Sequence, residues 1–64
     1  MKTIISLAET AVLRQPFLIK MLTDELINLS SLARKIKPFI DAELHKDIKT
    51  GSIVMALKRL TTSL

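Results

Sequence analysis

Apolar residues recur at helical spacing along most of this chain, and no segment alternates apolar and polar residues as a half-buried β-strand does. The pattern is clearest in the last third, where Thr50 stands before an apolar run at the position of an N-cap. We therefore predict a helix over residues 51–61 with one face directed at the core. That face consists of Ile53, Ala56, Leu57, Leu60 and, if the helix continues, Leu64.

Two shorter helices are predicted in the first part of the chain. Thr3 is a suitable N-cap for an amphipathic helix over residues 3–13. Pro16 ends that helix, because proline restricts the residue before it to extended geometry and lacks an amide N–H. Proline is tolerated at the first position of a helix, so a second helix is expected over residues 16–26.

A longer helix is predicted over residues 29–44, with Asn28 or Ser30 as its N-cap. Pro38 lies within it, yet the apolar period continues past the proline, so we expect a kink or a short break there. The fold class is therefore all-α. We expect residues 1–64 to form a single small domain of four to five helices.

The second helix has too many apolar residues for an ordinary surface helix. They cover roughly 200° of its circumference. The helix is either the centre of the core or half buried in a contact with another molecule. Because 48% of the 64 residues are hydrophobic and mean hydropathy is +0.35, more apolar surface is present than so small a domain hides, which favours a homodimer. The expected interface consists of Phe17, Leu18, Met21, Leu22, Val54 and Met55.

Positive charge is concentrated in the second half of the chain. Of the net charge of +4, residues 1–27 contribute none, whereas residues 28–64 carry seven cations and three carboxylates. Such an excess serves solubility, or it attracts phosphates, acidic proteins or an anionic surface. N–H groups at the start of the last helix can also hold an anion, although capping alone explains Thr50 and Ser52. The expected nucleic-acid or anion contacts are Arg34, Lys35, Lys37, Lys46, Lys49, Thr50, Ser52, Lys58 and Arg59.

The sequence contains no arrangement typical of catalysis, so we expect no enzyme and no catalytic, cofactor-binding or metal-binding residue. Cysteine is absent and His45 is the single histidine. Asp41 lies four residues before it, a spacing typical of a surface pair, while Glu43 has Lys46 and Lys49 as candidate partners. Apolar runs are too short to cross a membrane, which predicts a cytoplasmic protein without a membrane partner.

Three stretches carry a resemblance to a known family: PFL at 16–18, INLSSLARKIKP at 27–38 and GSIVMALKRL at 51–60. In these, the chain resembles the amino-terminal helical region of small prokaryotic proteins whose second half is an ACT-like amino-acid-sensing domain. Such proteins are often labelled aspartate-kinase-like or regulators of amino-acid metabolism. The resemblance implies a helix-turn-helix-like domain without an obvious wing, and a downstream ligand-sensing domain as partner. It implies no kinase chemistry.

Two functions follow from these observations. The first is a non-catalytic helical assembly or interaction module that forms a homodimer and that, as the resemblance implies, is the amino-terminal part of an amino-acid-responsive regulator. The alternative is a DNA-binding helix-turn-helix module of a transcriptional regulator, in which the last helix enters the groove and the basic residues contact phosphates.

Overall fold

A computed structural model describes residues 2–24 and 28–63, and this part of the chain contains four helices and no strand. The helices are α1 (Ile4–Leu13), α2 (Pro16–Thr23), α3 (Leu29–Leu44) and α4 (Thr50–Ser63). The predicted all-α fold class is confirmed. Across the described residues, no helix is both long enough and apolar enough to cross a membrane.

Side chains cap the first and third helices at the expected residues. The Thr3 hydroxyl accepts a hydrogen bond from the Ser6 N–H at 3.0 Å, and the Ser6 hydroxyl accepts one from the Thr3 N–H at 2.9 Å, which completes a capping box. At α3, the Asn28 side-chain oxygen accepts from the Ser31 N–H at 3.1 Å. Ser30, the other candidate cap, lies inside the helix.

The second helix is shorter than predicted. It begins at Pro16, which occupies the first turn as expected, and Asp24 is its C-cap residue. The predicted end at residue 26 lies outside the described residues. Because α2 has only eight residues, its apolar side chains are spread over about two helical turns.

Helix α3 continues through Pro38, so a break does not occur there, whereas the kink, the other predicted outcome, stays a prediction. The proline ring lies on the exposed side of the helix. On the other side, Leu32 and Ile36 before the proline and Ile40 after it are all buried in the same core. Burial of one face along the whole helix therefore offsets the hydrogen bond that proline cannot donate.

The connection between α3 and α4 is residues 45–49, and it begins with an unusual backbone conformation. His45 has φ 55° and ψ 40°, the left-handed region that glycine commonly occupies after a helix. At its other end, the Lys49 carbonyl accepts from the N–H groups of Ser52 and Ile53. Thr50 is therefore the first helical residue, and the predicted cap at Thr50 is wrong by one position.

The core lies around α4, which packs against both α1 and α3. The predicted core-facing residues of α4 are all buried, apart from Leu64, which lies outside the described residues. Among the described residues the core includes no polar or charged side chain. Its members are Leu7, Ala8, Val12, Leu22, Leu32, Ala33, Ile36, Ile40, Ile48, Ile53, Ala56, Leu57 and Leu60.

Replacing Pro38 by alanine should raise the free energy of unfolding by about 1–2 kcal/mol. Alanine supplies the missing N–H and removes the clash of the ring with the preceding turn, and the exposed site loses no packing. Urea denaturation measures the change. The control is Lys35→Ala, an exposed substitution in the same helix, for which we expect a change within about 0.5 kcal/mol. A loss of stability in the Pro38 variant would show that the core requires the geometry that proline imposes.

Candidate functional site

Large apolar side chains remain exposed after the chain has folded. The exposed fraction is 60% for Phe17, 58% for Met55, 53% for Leu13 and 36% for Ile5. These residues belong to three different helices, so they do not form one stripe. Two separate apolar surfaces account for three of them.

The first surface is a groove of about 390 Å³ bounded by α1, α2 and α3, here called the α1–α3 groove. Its walls are mainly apolar, with Phe17 and Leu18 from α2 and Leu32, Ile36 and Phe39 from α3. Two cations, Arg14 at the C-cap of α1 and Lys35 on α3, are the only charged residues among those that line it in the described chain. The full lining is Ala11, Arg14, Gln15, Phe17, Leu18, Ser31, Leu32, Lys35, Ile36 and Phe39.

Arg14 is held in place at this groove by an aromatic ring. Its guanidinium carbon lies 5.2 Å from the centroid of the Phe39 ring, a cation–π geometry. This contact leaves the guanidinium N–H groups, which point outward within the plane of the cation, able to bind an acceptor at the groove. The groove thus joins an apolar interior to a positive rim.

The second surface lies where the first turns of α1 and α4 meet, and it is here called the α1–α4 face. It surrounds a depression of about 370 Å³. Exposed Ile5 and Met55 stand beside half-buried Ile4 and buried Ala56. Glu9 is exposed one turn beyond Ile5 on α1. The lining is Thr3, Ile4, Ile5, Ser52, Met55, Ala56 and Arg59.

The six residues predicted to form one interface lie in different places. Phe17 and Leu18 line the α1–α3 groove, whereas Met55 lies on the α1–α4 face. Leu22 is 2% exposed and belongs to the core, so in this fold it offers no surface to a partner, and that part of the prediction needs correction. The side chains of Met21 and Val54 are half-buried. The spacing of apolar residues along each helix predicted that some of them would stay outside the core. It did not predict which ones the core would bury.

Lys37 is half-buried, and its charge is used within the chain rather than offered to a phosphate. Its ammonium donates to the Asp41 carboxylate at 2.7 Å, to the Ile48 carbonyl at 2.8 Å and to the Asp47 carboxylate. The other Asp41 oxygen accepts from the Ile48 N–H at 2.8 Å. An ammonium has three N–H donors, and each has a partner here. The prediction of Lys37 as an anion contact therefore needs correction.

These contacts shift two pKa values. The hydrogen bond from Lys37, followed by that from the Ile48 N–H, lowers the pKa of Asp41 below its ordinary value. Hydrogen bonds to Asp41 and Asp47 raise the pKa of Lys37. Both shifts favour the charged forms, so the cluster ties the end of α3 to the connection that precedes α4.

The other predicted anion contacts are spread around the molecule. Arg34 and Lys35 are neighbours on α3 and project about 100° apart, with Arg34 donating to the Ser31 hydroxyl and Lys35 lining the α1–α3 groove. Exposed Lys46 and Lys49 lie in the connection before α4. On α4 itself, Thr50 is half-buried, Ser52 and Arg59 line the α1–α4 face, and Lys58 is exposed.

The surface pair that the spacing of Asp41 and His45 suggested does not form. Asp41 is bound by Lys37 and Ile48 rather than by the His45 imidazole, and His45 instead ends α3. Glu43 pairs with Lys2, not with the candidate partners in the connection, and this contact lowers the pKa of Glu43. Within the part of the chain that the structure describes, no group of three or more potential ligands could hold a metal ion.

The chain matches no protein-family model, no curated protein and no solved structure. The resemblance to the amino-terminal region of ACT-linked regulators, and the downstream sensing domain that it implies, therefore stay predictions. The geometry itself supplies the two apolar surfaces as candidate sites. The sequence did not indicate that Ile5, Arg14 and Phe39 would lie at these surfaces. Only tertiary packing brings them beside the apolar residues of the predicted interface.

Replacing Lys37 by methionine should make the free energy of unfolding depend less on pH in the acidic range. Because the pKa of Asp41 is lowered in the folded chain, its contribution is fully present above about pH 4 and is lost as pH falls through the folded value. The raised pKa of Lys37 acts in the opposite range: its contribution is present below about pH 10 and is lost as pH rises through the folded value. Urea denaturation at a series of pH values should give a shallower acid loss for the variant.

Lys20→Met is the matched control for that experiment. The Nζ of Lys20 lies 3.8 Å from a carboxylate oxygen of Asp24, and both side chains are exposed. The substitution removes this ion pair. Surface pairs of this kind contribute little, so the acid dependence should match that of the unmodified chain. Equal acid dependence in all three proteins would contradict the role given to the Lys37 cluster.

Proposed function

We propose that this chain is a non-catalytic helical assembly module that forms a homodimer through the α1–α4 face. The observation that carries this proposal is the exposure of Ile5 and Met55 around a shared depression between two helices that already pack side by side. A two-fold axis over this face would join two helix pairs into a four-helix layer, a common arrangement in small helical dimers.

Charge favours the α1–α4 face over the α1–α3 groove as the site of self-association. In a two-fold dimer the same surface meets its own copy, so a surface with charges of one sign repels itself. The groove has Arg14 and Lys35 but no carboxylate among its described lining residues. The lining of the α1–α4 face has one cation, Arg59, against two in the groove, and the carboxylate of Glu9 lies one turn from Ile5, outside that lining. Two-fold pairing of this face therefore brings fewer like charges together than pairing of the groove would.

The size of the domain supplies the driving force for association. A chain of 64 residues buries only about 60% of the surface that its unfolded form exposes. Since four large apolar side chains remain exposed in the described part, covering some of them with a second copy removes more apolar area from water. Association therefore adds stability that the isolated domain lacks.

A DNA-binding module is the second candidate, and one observation favours it. The connection between α3 and α4 spans five residues, because α3 continues to Leu44. This length is close to the three or four residues that join the two helices of a helix-turn-helix. The outer side of α4, with Ser52, Met55, Lys58 and Arg59, is exposed. A dimer through the α1–α4 face would cover part of this same surface, so the two functions compete for it.

Sedimentation equilibrium at micromolar concentration tests the dimer. We expect the unmodified chain to have the mass of two copies and Met55→Glu to have the mass of one, because the substitution places a charge in the apolar contact. Phe17→Glu is the matched control, since it changes an equally exposed apolar residue outside this face and should leave the dimer intact. A monomeric unmodified chain, or a dimer that both variants weaken equally, would refute the proposal.

Retardation of duplex DNA in a gel at about 50 mM salt tests the alternative, because phosphate contacts are strongest at low ionic strength. If α4 binds DNA, Lys58→Gln should weaken retardation and reduce its dependence on salt. Lys20→Gln, which removes an exposed cation from α2, should not. Absence of retardation with any duplex would eliminate this function.

A further inference from the structure

The α1–α3 groove has the properties of a peptide-binding site, and the homodimer does not use it. Its apolar wall includes Phe17, half-buried Leu18 and Phe39, and buried Leu32 and Ile36. A helix that inserts its apolar side chains between other helices buries them against a surface of this kind. The groove therefore provides an apolar site for a helical segment.

The charges at the groove indicate which charged residues the bound helix should carry beside its apolar row. Arg14 lies against the Phe39 ring, and Lys35 lies on the side of α3 that lines the groove. Within residues 2–24 and 28–63, neither cation forms an ion pair with a carboxylate; the charge of Arg14 acts on Glu43, but the hydrogen-bond partner of that carboxylate is Lys2. This distinguishes them from Lys37, whose ammonium already has three partners. A ligand with carboxylates beside its apolar row would complement both cations.

We propose that the α1–α3 groove binds an amphipathic helix of another protein, one with apolar residues at helical spacing and acidic residues beside them. The apolar row enters the groove and contacts Phe17 and Leu18. The acidic residues meet Arg14 and Lys35 at the rim. The module would then join a dimer contact on one face to a peptide contact on another.

Two other occupants fit the groove less well. A second copy of this chain, docked by two-fold symmetry, would bring two Arg14 and two Lys35 side chains around one apolar contact, and like charges there oppose binding. A small anionic amphiphile would be held by the apolar wall, but Phe17 is 60% exposed, so the groove is open along that wall. A helix covers such an open wall, whereas a single acyl chain leaves it in contact with water.

The test measures binding of the whole chain to a fluorescein-labelled peptide of about fifteen residues, a length at which helices begin to form. The peptide carries leucine at helical spacing with glutamate beside it. One control peptide has lysine in place of glutamate, and another has the same composition in an order without helical period. By fluorescence anisotropy, we expect the patterned acidic peptide to bind, both controls to bind about tenfold more weakly, and added salt to weaken binding.

Variants of the chain locate the contact. Lys35→Glu should weaken binding of the acidic peptide about tenfold and favour the lysine peptide. Phe17→Ala should weaken it by a similar factor, because it removes an exposed aromatic contact. Lys20→Glu is the matched control, since it makes the same change of charge outside the groove and should alter affinity by less than about twofold. Circular dichroism checks that each variant keeps its helices.

The two proposals fail independently because they concern different surfaces. Met55→Glu should abolish the dimer and leave peptide binding unchanged, whereas Phe17→Ala should weaken peptide binding and leave the dimer intact. The groove proposal would be overturned if all three peptides bound equally well. It would also be overturned if neither Lys35→Glu nor Phe17→Ala changed the affinity for the acidic peptide. Binding of dodecanoate without binding of any peptide would also overturn it, since the groove would then accept a small amphiphile.

Discussion

The structure depends on the burial of one face of α4 between α1 and α3. Ile53 and Leu57 on that face are fully buried, and Ile48 in the preceding connection belongs to the same core. Fully burying a side chain of this size contributes about 1.5–3 kcal/mol, more than capping adds at a helix end. The Lys37 cluster complements this burial, because it fixes the connection from which α4 starts.

The same demand for burial determines which apolar side chains remain available for binding. Once α4 occupies the centre, the short α2 contributes Leu22 to the core and leaves Phe17 outside. On the other side of the molecule, α1 and α4 leave Ile5 and Met55 exposed. The surplus of apolar residues is therefore divided between two surfaces, and the charges around each of them differ. Charge, rather than apolar area, distinguishes the partner that each surface suits.

If both proposals hold, the two surfaces belong to a small module with separable contacts. The described lining of the α1–α4 face has a single cation, which favours the proposed second copy there, whereas that of the α1–α3 groove has two, which favours the proposed acidic helix. The cations of the second half of the chain also lie in different surroundings. Lys37 pairs with carboxylates of the chain, Lys35 lines the α1–α3 groove, and Lys46 and Lys49 are exposed in the connection.

Local patterns in the sequence determined the all-α class, the caps at Thr3 and Asn28, and the buried stripe of α4, because helical period and capping act over a few residues. Only tertiary structure decided the rest. Packing along a whole face kept α3 intact through Pro38, although proline alone favours interruption. The same packing buried Leu22 and placed Arg14 beside Phe39, since which residues meet across helices depends on how the helices cross, and the spacing of residues within one helix does not contain that information.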